Sequence, residues 1–208
     1  MIKKSGLTGL CLSLLVLASC TSTSYIQKAK NIDGWKQQLA ALEKLKQWNI
    51  SGKISIRSAD FLYTADLFWQ QKNSDLKLRL VAPFSQDVTE FRGNDETGYK
   101  VLTGRGEQLN VDSPETVTEH AFGVSLPFTE LKSWVKGLPD KNMMVWRARF
   151  NEQNQLQSFQ QSGWEVQYKR YKKVGHKTLP AKVFLTRLNE SLSDHEVDVR
   201  LILRRWVL

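Results

Sequence analysis

Cysteine, histidine and long apolar runs are all scarce in this chain, and each scarcity closes off a class of protein. Its 208 residues include two cysteines, Cys11 and Cys20, and three histidines. Two cysteines make no disulfide framework. His120, His176 and His195 are scattered without metal-ligand spacing. His195 stands between Asp194 and Glu196, but successive residues of a strand face opposite ways, so this triplet is not an assembled site. There is no nucleophile-elbow serine between glycines and no glycine-rich loop of the kind that cradles phosphate. The expectation is a protein that is not an enzyme and needs neither metal nor nucleotide. The longest apolar run, residues 7–18, is broken by Thr8, Gly9, Cys11 and Ser13. It is too short to cross a bilayer as a helix.

What the chain does have begins at that run. Lys3 and Lys4 precede it and Leu17-Ala18-Ser19-Cys20 closes it, the basic, apolar and small-residue order of a secretory leader. The four closing residues resemble the bacterial lipobox. That resemblance implies cleavage before Cys20, an S-diacylglycerol thioether on it and an N-acyl chain on the new N-terminus. Each buried CH₂ holds such an anchor with roughly 0.8 kcal/mol, and more than one chain makes it stable. The mature chain then has no free thiol and no disulfide, although it is exported to an oxidising compartment. Thr21 follows the cysteine, where an aspartate would favour inner-membrane retention, so the outer membrane is the expected location. The division expected is 1–19 as removed leader, 20–32 as lipidated N-terminus and flexible tether, and 33–208 as one domain facing the periplasm.

Acidic residues are outnumbered, 21 against 30 lysines and arginines, for a formal charge of +9. Export excludes nucleic acid as the partner, and attraction to anionic lipid headgroups remains. Seven tryptophans offer aromatic surface that can fill a core or line a cavity.

Asp33 opens a helical pattern in which Trp35, Leu39, Leu42, Leu45 and Trp48 share a face. The period then changes to 2. Ile50, Gly52, Ile54 and Ile56 alternate with polar residues; Phe61, Tyr63, Ala65, Leu67 and Trp69 follow on one face, and Leu76, Leu78 and Leu80 on the next. These read as an antiparallel meander with one apolar side. The connection 82–87 carries Pro83 and Phe84. Further strands follow near 88–92, 99–102 and 109–111, then a helix opened by Ser113-Pro114 and closed at Gly123, and another from Pro127 through Trp134 to Gly137. Strands return at 145–150, 156–161, 164–168, 183–185 and 197–203, with the basic run 169–173 read as a solvated turn. The rhythm is antiparallel β with few helices.

Four stretches together resemble the LolB family: the lipobox; the helix from Trp35 to Trp48 leading into Ile50-Ser51-Gly52-Lys53-Ile54; Leu78-Arg79-Leu80-Val81-Ala82-Pro83-Phe84; and Leu131-Lys132-Ser133-Trp134-Val135-Lys136-Gly137-Leu138-Pro139. The resemblance implies an outer-membrane lipoprotein that takes other lipoproteins from a soluble periplasmic carrier. It implies an open half-barrel whose concave side is covered by helices, leaving an apolar cavity. In the family a protruding loop carries an exposed leucine after an Asn-Pro pair and before a glycine. Here Ala82-Pro83-Phe84-Ser85 keeps and enlarges the apolar tip but lacks the asparagine and glycine, so insertion into the membrane comes to Phe84 by position and apolarity. Candidates for the acyl-chain cavity are Ile54, Ile56, Phe61, Tyr63, Leu67, Trp69, Leu76, Leu78, Leu80 and Trp134. Expected partners are the carrier, triacylated lipoprotein cargo and the inner leaflet of the outer membrane, with the protein itself a monomer. The alternative is an envelope scaffold whose apolar faces are fully packed; a hydrolase with a site invisible in the sequence is a third reading.

Overall fold

The computed structural model describes residues 32–59, 61–83, 88–122, 124–188 and 197–208. The expectations for the leader and tether, for Cys20, for Phe84, for Gly123 and for His195 fall outside the described residues.

Alternation dictates most of the architecture. In chain order the elements are α1 (Ile32–Glu43), β1 (Gln47–Arg57), β2 (Leu62–Lys72), β3 (Asp75–Val81), β4 (Val88–Asn94), β5 (Gly98–Leu102), β6 (Gln108–Val111), α2 (Pro114–Phe122), α3 (Phe128–Trp134), β7 (Trp146–Phe150), β8 (Leu156–Gln161), β9 (Trp164–Val174), β10 (Lys177–Arg187) and β11 (Asp198–Val207). All the strands form one antiparallel sheet in the order β6-β5-β4-β3-β2-β1-β11-β10-β9-β8-β7. The order is linear, so the sheet is open, with β6 and β7 as its edges. This is the antiparallel β class expected from the alternation, and the open sheet agrees with the half-barrel that the family resemblance implies.

Register decides which side chains share the inner face. Ile50 lies opposite Trp69 and Trp69 opposite Leu78; Gly52 opposes Leu67 and Leu67 opposes Leu80. A residue wider than glycine does not fit at position 52, because a Cβ there would lie 1.9 Å from the Ile202 carbonyl oxygen. The β1–β11 ladder slips between Ser51 and Gly52. That bulge bends the sheet at its centre.

Three expectations are corrected. The first helix ends at Glu43, and Trp48 belongs to β1, where it lies opposite Gln71; pairing with β2 overrides the helical spacing. The basic run 169–173 is not a turn but the continuation of β9, paired with β10 as far as Val174–Lys177. Length separates the cases, since the reversal comes only at Gly175, whose φ is +57°. Finally, β10 begins before Pro180, and the β9–β10 ladder is irregular between Pro180 and Lys182, as expected where a residue has no N–H to give.

Candidate functional site

The inner face of the sheet is covered by α3, and the cover is built from spacing. Phe128, Leu131 and Trp134 recur every third residue and are all buried, so the short helix turns one apolar side inward. Its first turn is held by α2: Glu115 Oε1 accepts from the backbone N–H of Phe128 at 2.8 Å and of Thr129 at 3.3 Å. A carboxylate there meets the free N–H groups and the positive end of the helix dipole. The far end closes with Gly137 at φ +88°, with the N–H of Leu138 donating to the Ser133 carbonyl, a Schellman-type stop.

Across the sheet, α3 joins strands that are not neighbours. Phe128 lies with its ring centroid 6.2 Å from both Trp69 of β2 and Phe91 of β4. Trp134 meets Phe159 of β8 edge-on at 6.1 Å. Polar bonds fix the same helix: Trp134 Nε1 donates to Gln161 Oε1 at 2.8 Å, the Tyr168 hydroxyl donates to the Trp134 carbonyl at 2.8 Å, and Ser162 Oγ donates to Glu130 at 2.8 Å. Lys132 reaches Asp95 at 3.4 Å. The hydrogen bond from Tyr99 holds the Asp95 carboxyl below the usual carboxylate range, and burial raises the Tyr99 hydroxyl. Burial also pushes the hydroxyls of Tyr168 and Tyr171 well above their ordinary value, so both are neutral donors throughout the physiological range.

The sequence-predicted cavity residues come together here. Ile54, Ile56, Leu67, Trp69, Leu76, Leu78, Leu80 and Trp134 belong to one buried cluster, each at most 6 % exposed. Tyr63 packs half-buried at its edge, and Phe61, just before β2, stacks on Tyr63 at 6.3 Å. A side chain so little exposed borders almost no space a water molecule can enter. The inner face is therefore closed in this state, with α3 seated on it.

A described groove lies elsewhere, on the outer side of the sheet. Its volume is about 540 Å³, and Phe68, Lys77, Arg79, Arg205 and Val207 line it. Gln161 was not singled out from the sequence, although it is 1 % exposed; a glutamine at an inward position of an apolar strand was the available signal. Phe91 and Phe128 lie on the predicted strand and helix and extend the predicted cavity set.

An open antiparallel half-barrel, lined with aliphatic and aromatic side chains and closed by a short helix, defines a class: a bowl with a helical cover. Comparison with known proteins carries this to a family. The family model described as outer membrane lipoprotein LolB matches residues 46–206. The outer-membrane lipoprotein LolB of Stutzerimonas stutzeri is 29% identical over 94% of this chain and 92% of its own length. That of Nitrosococcus oceani is 27% identical over 95% and 94% respectively, and that of Pseudomonas aeruginosa 27% over 93% and 92%. The chain belongs to the LolB family, outer-membrane lipoproteins that act as receptors in lipoprotein localisation. This is a trafficking family and not a known enzyme family, and membership favours the acceptor over the packed scaffold. No described helix is long and apolar enough to span a membrane.

Proposed function

We propose that this protein, held in the outer membrane by acyl chains on Cys20, takes lipoproteins from a periplasmic LolA-like carrier, shelters their acyl chains on its inner face and passes them to the inner leaflet. The observation that carries the mechanism is the continuous apolar face of β1–β3, capped by α3 across the bowl. Because that face is closed, α3 must lift before cargo enters. Uncovering Phe128, Leu131 and Trp134 costs about 1.5–3 kcal/mol for each side chain. At about 0.8 kcal/mol per CH₂ for leaving water, the apolar surface that α3 gives up is equivalent to roughly a dozen methylenes, less than the three chains of one cargo supply to cover it. Release is favourable because the bilayer offers the same apolar surroundings without displacing a helix. Transfer then needs neither nucleotide nor metal, no catalysis is involved, and a monomer suffices.

Phe84 completes the reading, as the apolar tip that enters the bilayer and opens the way for the cargo. The variant Phe84→Glu is expected to fold and accept cargo while delivering it poorly; normal delivery would remove the loop from the mechanism. Acceptance itself is tested with the mature chain made soluble by Cys20→Ser, mixed with carrier loaded with a triacylated lipoprotein. Pull-down should find the cargo on this protein. Cargo remaining on the carrier, with the acceptor shown to be folded, would return the scaffold reading.

A further inference from the structure

Several of the exposed apolar residues of this domain share one rim of the sheet. Register places the end of β3 at Val81, the end of β1 at Arg57, the start of β11 at Asp198, the end of β10 at Arg187 and the start of β7 at Trp146 on one rim of the sheet. On that rim Leu62 is 69%, Met144 66%, Met143 45% and Trp146 40% exposed. Three of these four lie within one stretch, residues 141–149, at the free edge strand β7. The stretch carries Lys141, Arg147 and Arg149, all exposed, and no carboxylate.

The segment is held, not loose. Gln161 uses its full amide capacity on it and its surroundings. Oε1 accepts from Trp134 Nε1 and from the Asp140 N–H, both at 2.8 Å; Nε2 donates to the carbonyls of Asp140 at 2.9 Å and of Met143 at 3.0 Å. Beyond it, Arg147 has φ +49° and the β7–β8 register slips between Trp146 and Arg149. Such a bulge re-aims edge side chains, and a non-glycine residue in left-handed geometry persists only where its surroundings impose it. A buried amide and a strained bulge thus present two methionines and a tryptophan to the outside.

We propose that Met143, Met144 and Trp146, ringed by Lys141, Arg147 and Arg149, form a second membrane-docking patch that rests on an anionic phospholipid surface. Tryptophan beside cations is the composition that settles at a headgroup boundary. Attachment favours the same occupant. The first turn of α1 packs against β7, since Trp35 lies 5.0 Å from Phe150. The stretch from Cys20 to Ile32 extends at most about 40 Å at roughly 3.3–3.6 Å per residue, and Trp146 is only four residues along β7 from Phe150. A lipid on Cys20 therefore allows this rim to reach the bilayer. The patch goes beyond the Phe84 loop and rests only on attachment of the chain to the membrane.

With Cys20 lipidated, an introduced cysteine is the one free thiol of the mature chain. Met144→Cys and Trp146→Cys, and Ser74→Cys on the opposite rim as reference, are labelled with an environment-sensitive fluorophore. The full lipidated protein is placed in vesicles of phosphatidylethanolamine and phosphatidylglycerol containing a nitroxide lipid. Quenching several-fold stronger at 144 and 146 than at 74, reduced when phosphatidylglycerol is omitted, is the expected result. Equal quenching at all three positions overturns the patch, as does protection of the 144 label in the mature Cys20→Ser chain in buffer without lipid or detergent, which would mean contact with a second copy. In a Phe84→Glu background the quenching at 144 should remain. Its loss would overturn the patch as an independent contact, whereas its retention with poor delivery keeps the two contacts distinct.

Discussion

At one end of the sheet, Trp48, Trp69 and Trp206 stand with ring centroids 5.1 and 5.6 Å apart around Trp48, all buried, with Trp206 Nε1 donating to the Pro180 carbonyl at 2.9 Å. At the other end Leu62, Met144 and Trp146 face outward. Tryptophans are buried together at one rim, while a tryptophan and a methionine stay uncovered at the other. Burying an aromatic side chain satisfies core packing at the closed rim, while at the open rim nothing within the described chain takes that role. Surface left apolar and held in place by a saturated amide is surface kept for something outside the domain.

The comparison breaks most severely if the cover is damaged. Trp134→Ala removes a fully buried indole, its contact with Phe159 and its bond to Gln161, and should cost about 3–5 kcal/mol in urea unfolding. A smaller loss would mean that α3 is not integral to the closed core. Gln161→Ala comes next, at about 1–3 kcal/mol, limited because the vacated polar site can admit a water. Amide exchange should then quicken through residues 140–146 while the Trp48–Trp69–Trp206 end stays protected. Uniform quickening would show that the two rims are one cooperative unit.

The mildest effect is alkaline. Tyr168 and Tyr171 keep their protons in the folded state because burial raises both hydroxyls, while in the unfolded chain a tyrosine ionises near pH 10. Their contribution is therefore fully present below about pH 10 and is lost as pH rises beyond it, by about 1.4 kcal/mol per pH unit for each group until its folded pKa is reached. Melting temperature measured from pH 9 upward should fall less steeply for Tyr168→Phe than for the parent. Identical slopes would place the alkaline loss in other groups.

How far the chain could be read follows from where its signals are local. Alternation at Ile50–Ile56 and Leu76–Leu80 names the inner face directly, because period 2 and burial on one side are the same fact. Ser113-Pro114 and Gly137 mark helix ends through their own backbone preferences. Trp48 and the run 169–173 were misplaced because their structure is decided by β2 and β10, far along the chain. The cover was legible as a helix but not as a latch: Gln161, Tyr168 and Asp95 hold α3 from positions 27, 34 and 37 residues away. Nor does periodicity say whether an apolar face is filled or hollow, since either state needs the same residues; only packing distinguishes them.

The most direct test of the central claim uses two aromatic residues on opposite sides of β2. Tyr63 packs at the edge of the inner cluster, and Phe68 lines the outer basic groove, so a photoreactive phenylalanine analogue replaces either with little change in shape. Cargo carrying labelled acyl chains is delivered by the carrier and the mixture irradiated. The account predicts crosslinks from position 63 and not from 68. Crosslinks from 68 with none from 63 would put the acyl chains in the outer groove and contradict it.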